Sequence, residues 1–385
     1  MDVIVPGRRF PAAPGRGDDP RHPFYDGTAR SVAMIALVNG LLTIATLGVY
    51  RFWAKTRLRR YLWGRVNYEG DTFEYTGRPL ELLIGFVIAL VVLVALGATM
   101  GFAEFALAGN DAALTVLAVG QGLLILFLIH FAIFRARRYR LSRTQWRGIR
   151  GGQSGSAVTY GLMGTGWSLA MVVTAGLAYP FMRTGLQGYR LRHTWFGDRA
   201  FDFDARAMQL LLRWLVAWLL FIPTLGISYV WYRAQEFRTY AAHTRYGALR
   251  FDSDLGTTRL IWIGLRYGLT FIAILLIAGL VAASALPGML SGAQMMASGQ
   301  SEALDAAGTV MAGSAVTVLP ILVFLAVIVA LGVAQAALYV HPLLREICDT
   351  LAVYGTEDFH AIAQSQQAWP GRGEGFADAL DVGAV

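Results

Sequence analysis

Charge is scarce in this chain. Asp, Glu, Lys and Arg make up 15% of its 385 residues, against about 25% in an ordinary soluble domain. Cysteine occurs once, as Cys348, which excludes an internal disulfide and a cysteine-built metal site. Lysine also occurs once, as Lys55, so the net charge of +8 is carried almost entirely by arginine. The six histidines show no HExxH-like spacing, and GQSGSA (152–157) lacks the GxSxG pattern of a nucleophile elbow. No catalytic set stands out, no cofactor is implied, and the chain reads as a non-enzyme. The first 23 residues are rich in Pro and Gly and have no apolar signal-peptide core. They are expected to be disordered, as is the tail over 366–385.

What the chain has in abundance is apolar sequence. Hydrophobic residues make up 56%, and mean hydropathy is +0.49. Seven apolar segments emerge, at about 31–50, 80–100, 112–134, 157–181, 208–232, 258–285 and 314–340. Runs of 18 residues or more read as transmembrane helices. Aromatic residues mark their ends, including Trp53 and Trp231, as expected at a bilayer interface. The expected fold is therefore an all-α polytopic membrane protein. Basic residues flank the apolar runs, which favours the bilayer and its anionic lipid headgroups as partners over nucleic acid. A homo-oligomer is left open.

The connections are uneven in charge. Residues 51–79 and 135–156 hold seven basic residues each, 182–206 hold five and 233–257 hold four. Residues 101–111 and 286–313 hold none. The positive-inside rule places the basic stretches in the cytoplasm. Seven full crossings would leave ten basic residues outside against twenty inside. If the first, fourth and fifth segments re-enter instead, all thirty lie inside. Each of these three has a break signal near its middle: Asn39-Gly40, Gly164-Thr165-Gly166 and Pro223. Both arrangements remain open at this stage.

An ungapped shift of 178 residues superposes the two halves. Thr46-Leu47-Gly48-Val49 falls on Thr224-Leu225-Gly226-Ile227. Trp53 falls on Trp231, Arg60 on Arg238, Tyr68 on Tyr246 and Phe73 on Phe251. This reads as a tandem duplication, with a first unit over 24–201 and a second over 202–365. A shorter motif, an aromatic with Gly close behind and Phe five residues on, recurs as YEGDTF (68–73), FGDRAF (196–201), YGALRF (246–251) and YGTEDF (354–359). WRGIRG (146–151) is a degenerate copy with Gly151 in place of Phe. Gly70 and Gly247 sit where a tight turn is needed, so each copy reads as a short cytoplasmic β-hairpin. Such hairpins should pair with one another, because one alone is marginal in water. Before the first hairpin, Leu58, Leu62 and Val66 line one face with Arg57, Arg59, Arg60 and Arg65 around them. That segment and ARRYRLSR (136–143) read as basic interfacial helices.

The stretches TLGVYRFWAKTRLRRYLWGRV (46–66) and YEGDTFEYTGRPLELLIGF (68–86) resemble the YjgN-type family of bacterial inner-membrane proteins. The resemblance covers roughly 24–365 and is strongest over 24–86 and 224–252. It implies a multi-pass protein of the inner membrane. Its defining domain carries no assigned function, so no catalytic residues carry over.

Polar residues complete the candidates. Asp202, Asp204, Asp252 and Asp254 form two DxD triplets that could face a divalent metal. Capping of the following helix is the plainer account. Asn39, Gln121 and His130 lie inside apolar runs and could line a polar path; hydrogen bonding between helices is the plainer account. Three functions stay open: a transporter or channel-like protein for a small solute or lipid, a non-catalytic membrane-organising or assembly protein, and a metal-dependent lipid-modifying enzyme.

Overall fold

The computed structural model describes residues 19–297, 306–355, 362–364 and 375–380. Contacts divide the chain into two units, one of residues 27–58 and 259–344 and the other of the remainder.

The structure is rich in helix, as expected, and in the larger unit the expected hairpins join into sheets, so the chain is not all-α. Four two-residue hairpins carry the sheets: β2 (Val66–Tyr68) with β3 (Asp71–Tyr75), β4 (Thr144–Trp146) with β5 (Ile149–Gln153), β6 (Thr194–Phe196) with β7 (Arg199–Ala200), and β9 (Thr244–Tyr246) with β10 (Leu249–Ser253). With β1 (Phe24–Tyr25), the strands to β7 form one seven-stranded sheet. β8 (Asp202–Phe203), β9, β10 and β11 (Leu351–Tyr354) form a four-stranded one. The two sheets meet at both edges. β7 and β8 are successive parts of one extended segment, and Arg21, just before β1, exchanges both backbone hydrogen bonds with Val353 of β11 at 2.9 Å. The strands thus close into a ring, which leaves no long edge among the described residues.

The recurrent motif is the inner wall of this ring. Tyr68, Trp146 and Tyr246 are buried with Leu249, Val353 and Ile362, and Phe73, Phe196, Phe201 and Phe251 pack against them. Ring centroids of 4.8 Å for Phe201–Tyr246 and 5.8 Å for Tyr68–Trp146 fall in the favourable range for aromatic pairs. The shifting place of Gly in the motif follows turn type. Glu69-Gly70 and Arg147-Gly148 have positive φ at both loop residues, whereas Gly197 and Gly247 are positive at the first alone. These are the signatures of type I′ and type II′ hairpins. The copy at 354–359 lies largely outside the described residues.

Helices leave the ring in pairs and return to it. α3 (Pro79–Ala106) and α4 (Asp111–Ser142) run between β3 and β4. α9 (Thr257–Ala297) follows β10, and α10 (Ala306–Ala334), a π-turn and α11 (His341–Thr350) lead back to β11. Four helical stretches are long and apolar enough to cross a membrane: Pro79–Ala106, Asp111–Ser142, Thr257–Ser284 and Pro320–Thr350. The first, fourth and fifth apolar segments are not of that length. Each is a short helix, a tight turn and a second helix: α1 (Ala29–Ala45) with α2 (Arg51–Trp63), α5 (Ala157–Val173) with α6 (Tyr179–Arg192), and α7 (Met208–Leu219) with α8 (Ile227–Ala242). At 1.5 Å per residue, a helix of 12 to 17 residues reaches roughly 18–25 Å, short of the ~30 Å hydrocarbon core.

The third break falls at Pro223, as the sequence suggested, and the first two fall after the suggested places. Asn39-Gly40 and Gly164–Gly166 lie within α1 and α5. There the glycines serve close packing. A Cβ at Gly40 would meet Val329 at 3.0 Å, and one at Gly164 would meet the His130 ring at 2.2 Å. The turns instead centre on Thr46-Leu47-Gly48, Thr174-Ala175-Gly176 and Thr224-Leu225-Gly226, with Pro223 inside the third. In each, the threonine hydroxyl donates to the carbonyl four residues back, at 2.8, 2.7 and 2.6 Å. The same oxygen accepts the N–H four residues on. The glycine, at φ +92°, +90° and +84°, donates to the carbonyl five residues back, which satisfies an orphan helix end.

Pairing register recurs at the 178-residue offset. Phe24 opposes Asn67 as Asp202 opposes Arg245, and Tyr68 opposes Asp71 as Tyr246 opposes Leu249. Two further expectations change. ARRYRLSR is the last part of α4 and not a separate interfacial helix. Within the tail expected to be disordered, α12 (Phe376–Ala379) packs on α3 and α4.

Candidate functional site

Arginine residues near the strand ends form three networks in the larger unit, and their partners differ. The first joins α2, α4 and α12. Asp378, 0% exposed, accepts from Arg59 Nη2 at 2.9 Å and Arg140 Nη1 at 3.1 Å. Arg59 also donates to the Tyr75 hydroxyl at 3.2 Å. Burial alone would lower the Arg59 guanidinium, and the hydrogen bonds and charge of Asp378 more than reverse that.

The second network lies between α6, α7 and α8. Glu236, 2% exposed, accepts both Nε and Nη2 of Arg183 at 3.1 Å and is bonded by Arg233. Tyr240, which belongs to an aromatic cluster with Phe203, Trp214 and Tyr232, donates its hydroxyl to Glu236 at 3.3 Å. Tyr179 stacks on Trp214 at 4.3 Å, and its hydroxyl meets that of Tyr229 at 2.9 Å. Burial pushes the phenol of Tyr240 up, so it stays a neutral hydrogen-bonding group.

In the third network, between α4, α6 and the β5–β6 pair, no carboxylate bonds to Arg137 or Arg190 among the described residues. Arg137 Nη2 reaches Thr194 Oγ1 at 3.4 Å, and Arg190 Nη2 reaches Gln187 Oε1 at 2.7 Å. The Nε of both is buried without a partner. Gln153, 3% exposed, stands opposite Thr194 in the ladder, and neither of its amide atoms has a partner. Burial pushes Arg190 below the usual arginine range.

The repeat-derived residues serve structure. Arg60 Nη2 donates to Gly77 O at 2.9 Å, and Arg238 Nε donates to Leu255 O at 2.9 Å. Each thereby clamps the segment that leads from a hairpin into the next long helix. Tyr68, Phe73, Tyr246 and Phe251 belong to the ring core, and Gly70 and Gly247 to its turns. Trp53 stacks on Tyr50 at 6.3 Å, and Trp231 packs beside the Glu236 cluster. Arg57 is exposed on α2.

The polar-path candidates have separate partners. In the smaller unit, Asn39 Nδ2 donates to Ala54 O at 3.1 Å. Gln121 donates to Glu104 at 3.0 Å, and His130 Nε2 meets Ser168 Oγ at 3.0 Å. The aspartates do not cap helices as expected. Asp202 and Asp252 accept the N–H of the next residue at 2.8 Å, and Asp204 pairs with Arg245 at 3.4 Å. α7 has Ala207 at its N-cap. Asp254 hydrogen-bonds through its backbone to Thr350. Among the described residues, no group of three His, Cys, Asp or Glu residues is placed to hold a metal.

Sequence reasoning missed the copy of the turn at 174–176, although Thr-x-Gly after an apolar run was legible. It also missed Asp378, for which there was no local signal.

Comparison with known proteins gives a family. A family profile described as "Bacterial protein of unknown function (DUF898)" matches residues 22–229 and 218–348. "Inner membrane protein YjgN" of Escherichia coli K12 is 42% identical over 59 residues, 15% of either chain. The protein of that name from Salmonella typhimurium LT2 is 37% identical over 73 residues, 18% of either chain. The alignments thus span less than a fifth of these relatives. No solved structure matches the chain.

Proposed function

The chain belongs to the bacterial DUF898 family and is a multi-pass inner-membrane protein, and on that premise we propose that it is a non-catalytic organiser of the inner membrane. In this reading four helices cross, and the ring with its arginines faces the cytoplasm. The three short pairs enter the bilayer and return. One observation carries the reading: the tips of the short pairs are apolar and bare. Leu47 is 95% exposed, Leu225 93% and Val173 86%. In water such tips would be unfavourable, and in hydrocarbon they are at home. Each turn bonds several of its own backbone groups through its threonine and glycine, which suits irregular backbone at membrane depth. This topology also gathers all thirty flanking basic residues on one side. The recurrent register further supports reading 24–201 and 202–365 as tandem copies.

The test is side-specific labelling. Cysteine placed at Asp198, in the β6–β7 turn, should react with a membrane-impermeant maleimide only after the cytoplasmic side is opened. Reaction from the periplasm in intact cells would overturn the topology. A deletion strain should then show altered lipid distribution with unchanged solute uptake.

A second reading, a lipid transporter, is favoured by a cavity of about 760 Å³ in the smaller unit. It is lined by apolar residues of α1, α9 and α10, including Leu41, Ile274 and Leu325, which suits an acyl chain. Movement of a labelled lipid between leaflets of reconstituted vesicles would favour this reading over the first.

A further inference from the structure

The third arginine network is incomplete as it stands. Two guanidinium groups and a buried amide converge with donors left over: Arg137 Nε, Arg190 Nε and Gln153 Nε2. Opposed residues of an antiparallel pair share a face of the sheet. Gln153 therefore lies beside Thr194, to which Arg137 is hydrogen-bonded. Thr194 in turn donates to Arg190 O at 2.7 Å. Buried donors without partners are rare in folded proteins, because each forfeits its hydration and gains nothing in return. Buried guanidinium groups without a counter-charge are rarer still. Glu236, whose charge reaches Arg190, is already bonded by Arg183 and Arg233.

We propose that the arginine cluster at the junction of α4, α6 and the β5–β6 pair binds a phosphate-class anion. The planar fork of arginine matches two oxygens of a phosphate, and two such forks suit an anion with several acceptor oxygens. The Gln153 amide supplies a neutral donor from the sheet. Both arginines are half-buried, so part of each side chain reaches the surface while the unpartnered donors lie beneath it. The depth of the cluster suits the headgroup zone. Arg137 lies three residues past the buried Phe134, where the apolar run of α4 gives way to arginine. A phospholipid headgroup and a soluble phosphate offer the same chemistry. The lipid arm of the inference rests on the organiser reading, and the anion site itself does not.

The experiment uses the delipidated full chain in detergent with three probes: phosphatidylglycerol, phosphatidylcholine and inorganic phosphate. Retained lipid is read by native mass spectrometry, and Tm by thermal unfolding. The wild type should retain phosphatidylglycerol over phosphatidylcholine, and Arg190→Gln should weaken that by about tenfold or more. The lipid-free Tm of the variant should stay level or rise, because a buried charge with no carboxylate bonded to it has been removed. Gln153→Leu keeps the charge and should also weaken retention, so it decides the matter if the arginine variant does not fold. Displacement of phosphatidylglycerol by inorganic phosphate would identify phosphate itself as the recognised group; a preference for the lipid that phosphate leaves untouched would identify the headgroup. Unchanged retention in both variants would overturn the site, as would a wild type that responds to none of the probes. Cytoplasmic labelling at residue 198 with no anion response would sink the site and leave the topology standing; periplasmic labelling with an anion response would do the reverse.

Discussion

Arg140 and Arg190 occupy the same place in two successive modules. Each lies four residues before the threonine that opens the next strand, Thr144 or Thr194, and each accepts that threonine's hydroxyl on its carbonyl, at 3.0 and 2.7 Å. Their side chains then diverge. Arg140 shares the buried Asp378 with Arg59, and the trio closes α12 onto α3 and α4. Arg190 sits with Arg137 and meets only neutral partners among the described residues. A buried guanidinium is stable only with a counter-charge at hand. Where the chain supplies the carboxylate, the arginine is a structural bolt. Where none bonds to it among the described residues, the arginine suits the anion proposed above.

The comparison is open to experiment in order of expected effect. Asp378→Asn should be the most damaging change, because it strands two arginines. A loss of about 3–5 kcal/mol is expected for breaking a buried pair, read as a fall in unfolding midpoint and as protease sensitivity of the C-terminal segment. A neutral outcome would erase the distinction between the two clusters. The ring on which both stand should fail in alkali. Burial, with the charge of Asp198, pushes the Tyr246 phenol up to about 12. The folded state thus favours the neutral phenol. Its contribution is complete below pH 10, the ordinary tyrosine value, and is lost as the pH rises towards 12, by about 1–2 kcal/mol once solvent screening is allowed for. Tyrosinate absorbance followed beside unfolding checks this, and ionisation near pH 10 without loss of stability would count against it. Arg190→Gln should move stability the opposite way from Asp378→Asn, upward by about 1 kcal/mol in lipid-free protein, and a loss instead would mean that Arg190 has an internal role. The smallest effect belongs to the turns. Gly48→Ala and Gly226→Ala place a Cβ at positive φ and should each cost about 1 kcal/mol, measured as additive shifts in Tm.

Legibility in the sequence followed the range of the interactions. The hairpins were readable because a two-residue turn and its alternating flanks are local. Their partners were not, since nothing near Tyr68 announces that Trp146 and Tyr246 will meet it in one core. The short pairs were half readable. Composition marked apolar runs, yet the stop depends on Thr174-Ala175-Gly176 and its kin adopting positive φ, and only the copies at 46 and 224 were matched. The arginine clusters were legible as charge and illegible as chemistry, because Arg59, Arg137, Arg140 and Arg190 look alike in a basic stretch.

The sequence by itself determined that this is a membrane protein with arginine-rich connections, recurring hairpins and a 178-residue periodicity. Those are properties of composition and local pattern, which the bilayer and the turn read directly. Only the tertiary structure decided that the hairpins close into a ring, which apolar runs are long enough to cross, and which arginines find a carboxylate. Those outcomes depend on contacts between residues tens to hundreds of positions apart, such as Arg59 with Asp378 and Arg21 with Val353. A guanidinium buried beside a carboxylate and one buried without it are the same residue in the sequence and opposite elements in the molecule.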